Sequence, residues 1–202
     1  MAGPRGSSLL DTMLVIELYT LERAWDRLAD DELFWEPVTG AWGIRRRAEC
    51  RTPTPFGDGD WVVDFDADLD EAADAGAAFV PMTTIGWLMW HIGSMPGRLA
   101  ELDFLGGADA YESGSTSPYR SAHPVFTSAS VAVETMRDGW RALDRALRQS
   151  ADERLEQVCT TPLGPTSGAL LVAAQLHEIS HHGAQICLLR DLYRATDGHT
   201  AG

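Results

Sequence analysis

His177 and His181 stand in the run Leu176-His-Glu-Ile-Ser-His-His-Gly-Ala-Gln185. At about 100° per residue, positions four apart differ by roughly 40° around a helix, so both imidazoles point the same way. Two such nitrogens can share one metal ion. Their direction is also that of Leu170, Ala174, Leu188 and Leu192, which periodicity makes the buried stripe of the helix. Two neutral imidazoles inside a bundle need partners for their polar nitrogens, and a metal would satisfy one on each; a pair of hydrogen-bonded core histidines is the plainer alternative. His91 adds weight to the metal. It falls on the apolar stripe of Trp87-Leu-Met-Trp-His91-Ile. Helix bundles build metal sites from side chains on facing helices. His91, His177 and His181 therefore form a candidate three-nitrogen site with a position open for water or substrate, the arrangement of a catalytic rather than a structural zinc site. His182, about 140° from His177, is expected to face elsewhere. His123 lies in a Pro-flanked loop, and His199 is in the tail.

The same residues match H-E-x-x-H, the zinc-peptidase pattern in which Glu is the general base. Two features speak against a peptidase. Ala184 and Cys187 stand where the extended form needs Gly and His, and no Glu follows Glu178 to serve as a third ligand. Glu178 is read instead as a residue supporting the site or exposed beside it. The run Asp64-Phe-Asp-Ala-Asp-Leu-Asp-Glu71 begins like a calcium loop. Leu69 and Ala75 occupy the positions that need Gly and Glu, so it reads as a solvated acidic loop.

Four segments of helical periodicity must position these residues. They run from about Ser8 to Ala29, from Thr83 or Thr84 to about Leu105, from about Ser128 to Gln149, and from about Thr166 to Ala195. Pro96 interrupts the second. The expected fold is all-α, a four-helix bundle in one domain over residues 1–202. A long insertion, 44–80, joins helices one and two, with Trp61-Val-Val-Asp-Phe65 as a short strand inside it. A Gly/Ser/Pro-rich loop from Gly106 to Pro124 follows the second helix.

Composition sets limits. The 202 residues carry 16 basic and 30 acidic groups, a formal charge of −14. That surplus excludes a phosphate-binding surface for nucleic acid and disfavours an anionic membrane. No 18-residue apolar run or signal-peptide pattern is found, so a cytoplasmic protein is expected. The three cysteines form no CxxC pair and read as free thiols. Every basic residue is Arg. Complete avoidance of Lys beside abundant Ala and Gly reads as the codon bias of a GC-rich, actinobacterial genome.

Three stretches resemble one family. His177-Glu-Ile-Ser-His181-His-Gly-Ala-Gln185-Ile is similar to the fourth-helix signature of the DinB superfamily: H-x-x-x-H, a small residue, Gln and an aliphatic. Thr84-Ile-Gly-Trp-Leu-Met-Trp-His91-Ile resembles its second-helix motif, which ends in the first metal His. Ala29-Asp-Asp-Glu-Leu-Phe-Trp35, with Pro37, Gly40 and Trp42, resembles the segment after helix one. The stretch from Trp42 to Pro81 is longer than the family usually carries. The resemblance implies a four-helix bundle, often a homodimer, with a divalent metal held by three His, zinc first and nickel second. It also implies, for some members, a low-molecular-weight thiol such as mycothiol joined to a small electrophile through a metal-bound thiolate. The actinobacterial composition points to mycothiol. Arg98, two turns beyond His91, is a candidate for binding a substrate carboxylate or phosphate, and Glu178 a candidate catalytic residue. A metal-dependent hydrolase using bound water and a non-catalytic metal-binding protein are the alternative readings.

Overall fold

A computed structural model describes residues 6–66, 68–69, 76, 81–93, 125–149, 151–161 and 164–197. Arg98, His123 and His199, the kink at Pro96, and Ala67, Asp70 and Glu71 of the acidic run lie outside the described residues. The described residues form six α-helices and two hairpins: α1 (Gly6–Ala24), α2 (Asp30–Phe34), β1 (Gly43–Arg46), β2 (Trp61–Asp64), α3 (Ile85–Gly93), α4 (Ala129–Gln149), α5 (Asp152–Glu156), β3 (Val158–Thr161), β4 (Gly164–Ser167) and α6 (Gly168–Asp197). No helix among the described residues is long and apolar enough to cross a membrane.

The all-α expectation needs correction. The chain is mostly helical, but β1 pairs antiparallel with β2, Gly43 opposite Asp64 and Arg46 opposite Trp61, and β3 pairs antiparallel with β4. The anticipated strand at Trp61 is present. Its partner was missed because Gly-Ile-Arg-Arg has no apolar alternation.

The chain forms two compact units. In the first, α1 buries Leu14, Leu21 and Ala24. The second half of α4 buries Met136, Trp140, Leu143 and Leu147, a three-and-four spacing that keeps one face inward. Charged pairs on the margins tie these helices together. Arg137 forks onto Glu22 (Nη2 to Oε2 2.6 Å), which holds the Glu22 carboxyl below its usual range, and Arg148 meets Asp11 at 3.2 Å. The first part of α6, to Ala184, buries Val172, Gln175, Leu176 and Ile179.

The second unit is built around the β1–β2 hairpin and α3. Three acidic residues of α2 each have a distant partner. Asp30 accepts from the Ala129 amide at the start of α4 (2.7 Å), Asp31 from the Tyr193 hydroxyl (2.6 Å), and Glu32 from the Arg190 guanidinium (2.6 and 3.1 Å). Asp30 thereby satisfies one of the orphan amides of a helix N-terminus. Glu32 and Arg190 are both 4% exposed, and two parallel bonds satisfy the buried charges.

In the same unit, Trp42 sets the start of α3. Its amide donates to the Met82 carbonyl and its carbonyl accepts from the Thr84 amide. The Thr84 hydroxyl accepts from the Trp87 amide at 3.2 Å, which makes Thr84 the N-cap. Gly57 turns the hairpin loop at φ +109°, and the Arg47 guanidinium donates to the carbonyls of Gly57 and Gly59 (the latter at 3.0 Å). At the foot of the hairpin, Asp64 is 2% exposed and ion-paired with Arg45 at 2.8 Å. It also accepts from the Arg51 amide, the Thr52 amide and the Thr52 hydroxyl.

Candidate metal centre

The second unit supplies His91, the seventh residue of α3. Its imidazole is half-buried and lies flat on the indole of Trp87, one turn earlier, with ring centroids 4.9 Å apart and planes 10° from parallel. Trp87 belongs to an aromatic cluster. Its ring centroid is 5.9 Å from that of Trp42 and 6.2 Å from that of Phe65. Phe65 and Phe56 also pack on Trp90, at 5.7 and 5.3 Å.

The first unit supplies the histidine-rich turn of α6. His177 and His181 share a face, as their spacing requires, with ring centroids 6.1 Å apart. That face is exposed, which corrects the expected burial of the stripe. Leu170 and Leu188 are 59% and 60% exposed, and Leu192 is exposed too. The inward face is set instead by Val172, Leu176, Ile179 and Ile186. The helix is apolar on both sides, so periodicity alone does not fix its phase. Glu178 and His182 lie at the flank of the inward face, both half-buried. The His182 Nε2 is 3.1 Å from the Glu178 Oε2 across one turn. His181 packs edge-on against His182, with centroids 4.8 Å apart.

Counted from His177, the helical phase sends His182 to another face. The available signal was Gln175, Ile179, His182 and Ile186, an i, i+4, i+7, i+11 series whose other three members sit inward. Trp87 was noted only as part of a motif.

Two other features, a cavity and the cysteines, lie apart from these histidines. A cavity of about 350 Å³ lies in the second unit, lined by Phe34, Glu36, Ile44, Arg45, Arg51 and Trp61 among others. Its charges serve one another. Arg45 is spent on Glu36, Asp64 and the Ala41 carbonyl, and Arg51 holds the second Glu36 oxygen at 2.7 Å. Burial pushes the Cys50 thiol up, away from a reactive thiolate. Cys187 is free and exposed.

The family model of the DinB superfamily matches residues 13–186. The chain belongs to the DinB superfamily. Its members are generally metal-dependent. No curated protein and no solved structure matches the chain. The acidic residues of α2, His91 and the histidine turn of α6 all fall within the matched span.

Proposed function

We propose that this DinB superfamily protein is a divalent-metal-dependent enzyme that joins a low-molecular-weight thiol, mycothiol as first candidate, to a small electrophile. In this reading Glu178 and His182 hold the cation, zinc before nickel, with His91, the metal His that the second-helix motif implies, as the third ligand, and the four long helical segments form the family's bundle. The observation that carries the reading is the Glu178–His182 pair, half-buried and one turn apart with nitrogen and oxygen at 3.1 Å. Each of the three residues offers one ligand atom. Two imidazoles and one carboxylate make a donor set that suits zinc and leaves a fourth position for an exogenous ligand.

When bound, a divalent cation stabilises a thiolate at neutral pH, where a free thiol with pKa near 8.5 is mostly protonated. The chain's own contribution is to hold the donors. Glu178 supplies negative charge and fixes His182, and Trp87 fixes the plane of His91. The acidic surplus of the chain suits a neutral or cationic substrate better than a phosphorylated one. Under this proposal the protein works in the cytoplasm, without nucleic acid or membrane, as a monomer or homodimer.

The test compares metal content and mycothiol consumption in the presence of 1-chloro-2,4-dinitrobenzene. Wild type is expected to carry about one zinc per chain and consume mycothiol. His182→Ala is expected to lose both, and His177→Ala to keep both. Absence of metal from freshly purified wild type overturns the reading. Mycothiol consumption untouched by His182→Ala overturns the transferase. Metal lost from His177→Ala but retained by His182→Ala assigns the ligands to His91, His177 and His181 instead.

A further inference from the structure

We infer that Trp87 is a positioning residue for the His91 ligand, and that Phe65, directly after β2, together with Trp42 holds Trp87 in place. The inference rests on the metal reading above and gives a role to the β1–β2 hairpin. An imidazole offers a metal its in-plane lone pairs, so the plane of the ring decides where the ligand atom aims. His91 lies within 10° of parallel to the Trp87 indole at 4.9 Å. The stack occupies the face of the imidazole and leaves the nitrogen edges to other partners. It also resists rotation of the ring, because tilting drives an edge into the indole.

Trp87 can do this only if it is itself fixed. The indole is 5% exposed, and among the described residues its Nε1 has no hydrogen-bond partner. Ring contacts therefore orient it. Those contacts come from Trp42, at 43° between planes, and from Phe65, at 68°. Phe65 follows β2 directly, and β2 buries Val62 and Val63 completely, so Phe65 is carried on a rigid strand. The path of support runs from β2 to Phe65, to Trp87, to His91. All four lie in one unit.

The test measures Co²⁺ affinity by competition with a chelator, together with the visible ligand-field spectrum of the Co²⁺ protein. Loss of a residue that orients a ligand typically costs about 10–100-fold in metal affinity. Trp87→Leu is expected to weaken Co²⁺ by about tenfold or more and to shift the bands. Trp87→Phe, which keeps a stacking ring, is expected to recover affinity to within about threefold and to restore the bands. Phe65→Leu, which leaves α3 untouched, is expected to weaken Co²⁺ severalfold. A Trp87→Leu protein with wild-type circular dichroism, affinity and spectrum overturns the inference while leaving the metal site standing. Wild type that binds no Co²⁺ overturns the metal reading instead. Should Trp87→Leu fail to fold, Phe65→Leu decides alone: affinity and bands equal to wild type refute the inference.

Discussion

The Glu178 carboxylate and the His182 imidazole meet at 3.1 Å across a single turn of α6. An i, i+4 ion pair on a helix is worth only a few tenths of a kcal/mol, and the Glu178 side chain is 35% exposed. A structural pair and a ligand pair therefore predict different outcomes for Glu178→Gln, which keeps the shape and removes the charge. The metal-free variant is expected to unfold within about 0.5 kcal/mol of wild type. Zinc affinity, measured by chelator competition, is expected to fall by about tenfold or more. Equal zinc affinity in the two proteins leaves Glu178 as a helix-surface pair and nothing else.

Asp64 gives the hairpin a pH dependence with a definite sign. Burial alone pushes its carboxyl up. Hydrogen bonds from the Thr52 hydroxyl and from the Thr52 and Arg51 amides, with the charge of Arg45, more than reverse this and hold it below its ordinary value of 3.8. A carboxyl depressed in the folded state stabilises the fold above its unfolded value, and that stabilisation is lost as pH falls through the folded value. Asp64→Asn is expected to cost about 1–3 kcal/mol near neutral pH, because the buried Arg45 keeps only Glu36 as a charge partner and the Thr52 and Arg51 amides lose a charged acceptor. The gap between variant and wild type should shrink below about pH 3.8. Urea unfolding at a series of pH values checks both. A gap constant down to pH 2 refutes the linkage.

Glu32 and Arg190 supply a second buried pair, and here removing one partner differs from removing both. Glu32→Gln takes from Arg190, 4% exposed, the carboxylate that its guanidinium forks onto, at a cost of about 3 kcal/mol. For a chain of this length the melting midpoint should drop on the order of 10 °C. Replacing both by Met removes the buried charges together, and the double variant is expected to recover most of the loss. Calorimetry of the two singles and the double gives the coupling directly. Additive losses would mean that the pair carries no coupling energy.

The helices were legible where apolar residues occupy one face only. In α4 the buried residues Ala129, Ala132, Met136, Trp140, Leu143 and Leu147 repeat every three or four positions, and little apolar competes on the far side. Phase could be read there by counting. In α6 the exposed Leu170, Leu188 and Leu192 compete with the buried Val172, Leu176, Ile179 and Ile186. Counting chose the wrong face and set His177 and His181 inward in place of Glu178 and His182. The acidic run of α2 was visible as a motif, but its purpose was not. Asp30, Asp31 and Glu32 bond to residues 99, 162 and 158 positions away, and no local pattern encodes such partners. The stack of Trp87 on His91 could have been read from its i, i+4 spacing. Its anchoring by Phe65 depends on how the hairpin folds.

Gly93 ends α3 where the helix meets α4 without room for a side chain. A Cβ at this position would collide with the Met136 Sδ and lie 3.4 Å from its Cγ. Met136 is completely buried, so it must change rotamer inside a packed core to make way. Overpacking of this kind typically costs about 1–3 kcal/mol, and Gly93→Ala is expected in that range although Ala is the better helix former. The cause can be isolated. Met136→Ala removes the obstructing thioether at its own cavity cost. In that background Gly93→Ala should become neutral or stabilising, giving a coupling of at least about 1 kcal/mol in the double-mutant cycle. Urea unfolding of the four proteins reads it. A Gly93→Ala penalty of the same size in both backgrounds would show that the contact with Met136 is not its source.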